Sequence, residues 1–102
     1  MATKKRRRLP PIHPGEVLQD LLQESGLTVN ALALALRVPA NRIGAIVKGQ
    51  RGITVDTALR LARYFGTSAE MWVNLQAKYD LTAAEDALSR QIERDVLPRS
   101  AA

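Results

Sequence analysis

The sequence predicts an all-α protein of five to six short helices, for three reasons. Apolar residues recur at helical spacing along most of the 102-residue chain, and no stretch alternates in the manner of a strand. Residues that cap helices stand before several of these stretches. Glycine or proline follows most of them, as is typical of helix ends. The length of the chain predicts a single domain.

The first two helices are predicted on either side of Gly26, which ends the first of them. The first helix begins at Pro14, whose fixed φ angle suits the first turn of a helix. Its apolar stripe consists of Val17, Leu18, Leu21 and Leu22. The second helix extends from Val29 to about Leu36, because Thr28 can cap it. Its inner face consists of Leu32, Ala33 and Leu36.

A turn over residues 37–40 separates the second helix from the third, since Pro39 disfavours helical backbone in the residue before it. The third helix is predicted over residues 40–48. Its apolar stripe consists of Ile43, Ile46 and Val47. The fourth helix follows Thr54, which can cap it, and ends before Gly66. The residues expected to face inward from it are Val55, Ala58, Leu59, Leu61, Ala62 and Phe65.

Two capping boxes, in which a threonine precedes a glutamate by three residues, predict two further helices. Thr67 and Glu70 form the first box, and the fifth helix then extends to about Tyr79. Thr82 and Glu85 form the second box and open a sixth helix. One side of the sixth helix consists of Leu88, Ile92 and Val96.

The chain is predicted to comprise a basic flexible arm over residues 1–12, a helical domain over residues 13–80, and a C-terminal helix and tail over residues 81–102. Five consecutive cations in the arm repel one another and oppose compact structure. They are Lys4, Lys5, Arg6, Arg7 and Arg8. Their charge equals the formal net charge of +5, so the remaining charges balance. Such an arm can contact DNA, form a solvated tail or act as a nuclear localisation signal.

Composition excludes several classes of function. Without cysteine the chain has no disulfide, no thiolate zinc site and no thiol nucleophile. No apolar run reaches the roughly 18–20 residues that a membrane helix needs, so we expect no membrane partner. The single histidine, His13, lies beside a helix start and is interpreted as a cap or a surface residue rather than a ligand or a catalytic base. We therefore expect no enzymatic activity, no catalytic residue, no metal and no cofactor.

Residues 28–49 have the pattern of a helix-turn-helix, two short helices joined by a four-residue turn. In such units the N-terminal residues of the second helix meet base edges in the major groove of DNA. Asn41 can pair with adenine, and Arg42 with guanine or phosphate. The residues expected to face the bases are Ala40, Asn41, Arg42, Gly44 and Ala45. Lys48 and Arg51 are expected beside phosphate.

The charge distribution also indicates DNA binding. Between Ser25 and Gly66 the chain carries six cations, and Asp56 is the one acid. Such a concentration of positive charge is the electrostatic signature of nucleic-acid binding. One alternative remains open from the pattern alone. In it the helices belong to an ordinary helical bundle, and Asn41 and Arg42 are solvated surface residues.

An apolar row on the fifth helix has two interpretations. The row consists of Met71, Trp72, Leu75 and Tyr79. It belongs to the core, or, if the first four helices close a core by themselves, it forms the interface of a homodimer. A dimer would place two reading helices about 34 Å apart, which is one turn of DNA.

Motifs within residues 12–81 resemble those of the HigA antitoxins, members of the Cro/C1 (XRE) superfamily of lambda-repressor-like helix-turn-helix proteins. They are HPGEVL at 13–18, VPANRI at 38–43, GQRGIT at 49–54 and TALRLARYFGTS at 57–68. The resemblance implies an antitoxin that neutralises a HigB-like, mRNA-cleaving toxin. It also implies a homodimer that binds double-stranded operator DNA and represses its own operon. The phosphate contacts that it implies come from Thr28, Asn30, Lys48 and Arg51.

The chain departs from the wider superfamily in the turn and in the second helix of the motif. Arg37 stands where glycine is usual, and Pro39 stands where a serine or threonine cap is usual. Gly44 and Ala45 replace larger polar side chains. Base readout is therefore expected to rest on Asn41 and Arg42, with the remaining contacts made to phosphate and DNA shape.

The toxin-binding surface is the part that the sequence defines least. Glu16, Asp20 and Glu24 form an acidic stretch that complements a basic, RNA-cutting toxin. One alternative is a stand-alone repressor of the same superfamily without a toxin partner. Another is a helical module whose basic face binds protein or RNA. For the antitoxin we expect a bacterial, cytoplasmic location in association with the nucleoid.

Overall fold

The computed structural model describes residues 11–100, and these residues form five α-helices and no strand. The helices are α1 (Pro14–Ser25), α2 (Val29–Leu36), α3 (Ala40–Val47), α4 (Val55–Phe65) and α5 (Ala69–Asp95). The all-α prediction is confirmed. Most of the predicted arm, including Lys4, Lys5, Arg6, Arg7 and Arg8, lies outside the described residues.

The predicted caps hold the starts of the first, second and fourth helices. Nδ1 of His13 accepts a hydrogen bond from the backbone N–H of Gly15 at 2.9 Å, which confirms His13 as a cap. Oγ1 of Thr28 accepts from the N–H of Ala31 at 3.0 Å. Thr54 caps α4 in the same way. Each bond satisfies one of the backbone donors that a helix start leaves without an internal partner.

The prediction of separate fifth and sixth helices is wrong, because α5 is one continuous helix of 27 residues. Its cap is Ser68, whose Oγ accepts from the N–H of Met71 at 3.1 Å. Thr67 instead accepts a hydrogen bond from Nε1 of Trp72 at 3.2 Å. Thr82 lies within the helix, since no glycine or proline interrupts the chain before it. The predicted boundary between residues 80 and 81 therefore falls inside α5.

The core lies where α1, α2, α3 and α4 meet the N-terminal part of α5. Its buried apolar residues are Leu18, Leu22, Leu32, Ala33, Leu36, Ile43, Ile46, Ile53, Ala58, Leu61 and Trp72. Trp72 is 0% exposed and is the largest of the fully buried side chains. Aliphatic side chains supply nearly all the rest, as the low aromatic content predicts.

Two residues of α4 that were expected to face inward do not. Val55 is 61% exposed and Leu59 is 58% exposed, whereas Thr57 is buried. The buried face of α4 contains Thr57, Ala58 and Leu61, and residues 55 and 59 lie together on another face because they are four positions apart. Apolar residues occur on two faces of α4, and hydropathy alone did not distinguish the face that packs inward.

The C-terminal part of α5 extends away from the core. Every residue from 84 to 100 is exposed, and the described chain measures 56 × 29 × 22 Å. We call residues 81–95 the α5 extension. Within residues 11–100, none of the helices combines the length and the apolar character needed to cross a membrane.

Candidate nucleic-acid interface

The turn between α2 and α3 keeps a glycine-like backbone although it contains no glycine. Arg37 has φ 61° and ψ 46°, the left-handed region that favours glycine, and is the one non-glycine residue with positive φ among residues 11–100. The backbone N–H of Val38 donates to the carbonyl of Ala33 at 3.0 Å and closes the end of α2. Pro39 then precedes α3 with no side-chain cap. The turn geometry thus survives the departure from the usual sequence.

The first turn of α3 presents polar and small residues to the outside. Ala40 and Asn41 are exposed, as expected for residues that face DNA. Gly44 and Ala45 are half-buried, and a Cβ atom on Gly44 would lie 4.0 Å from Cγ1 of Val29. A side chain at position 44 would therefore meet only ordinary contact with Val29, and Gly44 and Ala45 are less exposed than Ala40 and Asn41.

Arg42 does not project freely from α3. It is half-buried, and its Nε atom is buried with no hydrogen-bond partner among residues 11–100. Its charge acts on Asp56 at the start of α4. This buried N–H donor can meet an acceptor from outside only if the Arg42 side chain changes its conformation.

Asp56 and Arg60 form an ion pair beside Arg42. The pKa of Asp56 is lowered, because Arg60 donates a hydrogen bond to the carboxylate and the positive charges of Arg60 and Arg42 favour its ionised form. Desolvation opposes this shift. Nη1 of Arg60 also donates to the carbonyl of Leu36 at 2.8 Å. The pair thus links the end of α2 to α4, a role that the sequence analysis did not assign to either residue.

The candidate phosphate contacts lie at two places. Thr28 and Asn30 are exposed at the start of α2, where backbone N–H groups and the helix dipole favour anions. Lys48 and Arg51 are exposed at and after the end of α3. The hydroxyl oxygen of Thr28 accepts the capping bond from Ala31, and its O–H group can still donate to a phosphate.

Gln76 holds the loop that follows α3, and the sequence analysis missed it. Its Oε1 accepts a hydrogen bond from the N–H of Ile53 at 2.7 Å across 23 positions of sequence. Its amide group also packs at Gly52, where a Cβ atom would lie 3.0 Å from it. The sequence contains one indication of this role. Gln76 is a polar residue within the apolar row of α5, and a polar residue that packs inward needs a hydrogen-bond partner.

The residues singled out for dimer and toxin contacts have mixed positions. Trp72 has no exposed surface, so the expectation that it contacts a second copy is wrong. Three others of that row, Met71, Leu75 and Tyr79, are half-buried.

The acidic residues of α1 are exposed and, at spacings of four, share one face: Glu16, Asp20 and Glu24. Among residues 11–100 no group of three or more acidic or histidine side chains could hold a metal ion.

The sequence of this chain matches a known family and known proteins. A family model described as helix-turn-helix matches residues 18–72. Virulence-associated protein I of Dichelobacter nodosus is 54% identical over 81 residues, which are 78% of this chain and 75% of that protein.

Two solved structures resemble this fold closely. One is an addiction module antidote protein of a HigA family from Coxiella burnetii, with TM-score 0.82 and 47% identity over 89% of this chain and 100% of that chain. The other is the Pseudomonas aeruginosa antitoxin HigA with the higBA promoter. It has TM-score 0.84 and 49% identity, over 88% of this chain and 99% of that chain.

Proposed function

The chain belongs to the helix-turn-helix family as a HigA-type member, and we propose that it is an antitoxin that represses its own operon by binding operator DNA. The observation that carries the DNA-binding part is the exposed first turn of α3, with Asn41 outside and Arg42 beside it. Structural relatives include an antitoxin HigA solved with promoter DNA. The helix-turn-helix geometry presents such a turn to the major groove.

Base recognition is proposed to rest on Asn41 and Arg42. The amide of Asn41 matches the donor and acceptor edge of adenine, and the guanidinium of Arg42 matches guanine. Ala40, Gly44 and Ala45 then allow close approach of α3 to the bases. For Arg42, contact with a base or phosphate would require the side chain to turn outward from α3, because its Nε is buried without a partner among residues 11–100.

Phosphate contacts are proposed to orient α3 on the duplex. Thr28 and Asn30 would contact one strand from the start of α2, and Lys48 and Arg51 would contact phosphate from the other end of α3. Lys4, Lys5, Arg6, Arg7 and Arg8 are proposed to add contacts that do not depend on sequence. Each phosphate neutralised steepens the decline of affinity with salt.

The protein is proposed to bind DNA as a homodimer. Two copies related by a two-fold axis would present their α3 helices to successive major grooves, about 34 Å apart. Met71, Leu75 and Tyr79 keep part of their surface exposed on α5 and remain available to a partner. Further along, the α5 extension exposes several large apolar residues.

Toxin neutralisation is proposed to use the acidic face of α1. Glu16, Asp20 and Glu24 repeat every four residues on one exposed face, on a different helix from α3. A toxin that binds mRNA needs a positively charged surface, and complementary charge would accelerate and orient association. Co-purification of a toxin encoded beside this gene, and its loss in Asp20→Lys, would support this part. A neighbouring gene without any toxin would favour the stand-alone repressor.

The DNA-binding proposal is tested by titrating the protein into a labelled duplex from upstream of its own gene and into a shuffled duplex, at one salt concentration. Asn41→Ala should weaken operator binding by about 1–3 kcal/mol and leave binding to the shuffled duplex unchanged. Gln23→Ala, at an exposed position of α1, is the matched control. Equal affinity of wild type and Asn41→Ala for the operator would contradict the assignment.

A further inference from the structure

The loop that follows α3 is fixed at two points, and Arg51 lies between them. On one side the backbone N–H of Gln50 donates to the carbonyl of Ala45 at 2.9 Å, which ties the loop to α3. On the other side the N–H of Ile53 donates to Oε1 of Gln76 at 2.7 Å, which ties the loop to α5. Ile53 is buried, whereas Arg51 is exposed. The two bonds therefore fix the backbone on both sides of an exposed cation.

Gly52 shows that the amide of Gln76 lies against the loop itself. A Cβ atom at position 52 would lie 3.0 Å from Cδ, Nε2 and Oε1 of Gln76, closer than most Cβ atoms come to any neighbour. Gly52 does not have a positive φ, unlike Gly49 with φ 76°. The lack of a side chain at position 52 is therefore explained by the space that the amide occupies and not by a left-handed backbone.

Asp80 sets the orientation of this amide. Its Oδ1 accepts a hydrogen bond from Nε2 of Gln76 at 2.9 Å, about one helical turn further along α5. An ionised carboxylate can only accept, and the backbone N–H of Ile53 can only donate. Nε2 therefore points to Asp80 and Oε1 to the loop. A side chain at position 76 needs one donor and one acceptor to keep both bonds.

We propose that Gln76, oriented by Asp80, is a positioning residue for operator binding that holds Arg51 in place for its phosphate contact. This rests on the proposed function, in which Arg51 contacts the DNA backbone. Gly49 and Gly52 flank the short segment that carries Arg51, and flexible backbone loses entropy when a ligand fixes it. Because α5 already holds this segment in the free protein, less entropy is lost when DNA binds.

A role in stability alone is the alternative, because Ile53 belongs to the buried core. In that case removal of the Gln76 amide would lower the free energy of unfolding, and the folded variant would bind operator as wild type does. The positioning role predicts instead that the variant binds more weakly and that this loss depends on the side chain of Arg51. Operator affinity of the folded protein therefore distinguishes the two roles.

A double-mutant cycle on the full chain measures this dependence. Operator affinity is titrated at one salt concentration for wild type, Gln76→Ala, Arg51→Ala and the variant with both changes, and circular dichroism verifies that each is folded. Gln76→Ala should weaken binding roughly tenfold, which corresponds to ordering the backbone of about one residue. In the Arg51→Ala background the same change should weaken binding by less than about twofold, because the contact that it acts through is absent.

A charge-matched series tests the orientation of the amide and also serves if Gln76→Ala does not fold. Gln76→Glu keeps the acceptor for Ile53 but places a carboxylate against Asp80, and it should weaken operator binding roughly tenfold. Ala77→Glu adds the same charge at the next, exposed position and should change affinity by less than about threefold. Adding Asp80→Asn to Gln76→Glu supplies a donor at unchanged net charge and should restore affinity to within about threefold of wild type.

The outcomes separate this inference from the proposed function. Equal effects of Gln76→Ala in both backgrounds, or of Gln76→Glu and Ala77→Glu, would overturn the positioning role while operator binding itself would stand. No recovery on adding Asp80→Asn would overturn the role of Asp80. Wild-type protein that binds operator no better than a shuffled duplex would contradict the proposed function and this inference with it.

Discussion

Replacement of Gly15 by alanine tests how α1 positions α3. A Cβ atom on Gly15 would lie 1.9 Å from the carbonyl oxygen of Ile46, where Cβ contacts under 3.0 Å essentially never occur. Since the obstacle is backbone, α1 and α3 must separate by about 1 Å, and the close-packed residues between them lose contact. Gly15→Ala therefore tests the packing of α1 against α3 at a position whose importance the composition of the sequence does not indicate.

Two opposing effects set the magnitude for Gly15→Ala. Alanine is favoured over glycine in a helix by at most about 1 kcal/mol. Forcing extra volume into a packed site costs about 1–3 kcal/mol. We expect a net loss of about 1–2 kcal/mol in the free energy of unfolding, which corresponds to a fall in Tm of roughly 4–16 °C.

Thermal and urea unfolding measure this loss, and operator titration of the folded variant measures the displacement of α3. Gly26→Ala is the matched control, because Gly26 has φ 68° and no atom within 4 Å of its Cβ position. It should destabilise through backbone strain but leave operator affinity unchanged. A Tm for Gly15→Ala equal to or above that of wild type would refute the reasoning.

Three further predictions follow from the described contacts. Trp72→Ala should destabilise the fold by about 3–5 kcal/mol in urea, because its fully buried side chain leaves a cavity. Thr28→Ala should cost about 1 kcal/mol through loss of the cap to Ala31, measured by the same assay. The lowered pKa of Asp56 means that its ion pair stabilises the fold above the unfolded value of about 3.8 and that this contribution disappears as the pH falls through the folded value. Asp56→Asn should therefore lose stability at neutral pH and change less than wild type on acidification, and identical pH profiles would contradict this.

Local signals in the sequence were sufficient for the first four helices. Thr28, Thr54 and His13 act as caps, and Gly26 and Gly66 end their helices in left-handed conformations, as their residue types predict. A capping residue starts a helix only where the chain is not already helical. The helix start predicted at Thr82 is therefore wrong, because α5 is already helical there and continues through it.

The site required tertiary information that spacing does not contain. Asn41 was found from its place in the second helix of the motif, and it is exposed as expected. The charge of Arg42 acts on Asp56, which lies on the next helix and pairs there with Arg60. The hydrogen bond from the N–H of Ile53 is accepted by Gln76, 23 positions later in the sequence. Local periodicity did not predict either contact.

The central claim, that α3 and its flanking loops form the DNA-binding surface, is tested most directly by NMR titration of isotope-labelled protein with its operator duplex. The largest amide shifts should fall on residues 28–30, 40–45 and 48–51, and the exposed face of α1 should change little. Large shifts confined to α1 or to the α5 extension, with residues 40–45 unaffected, would contradict it.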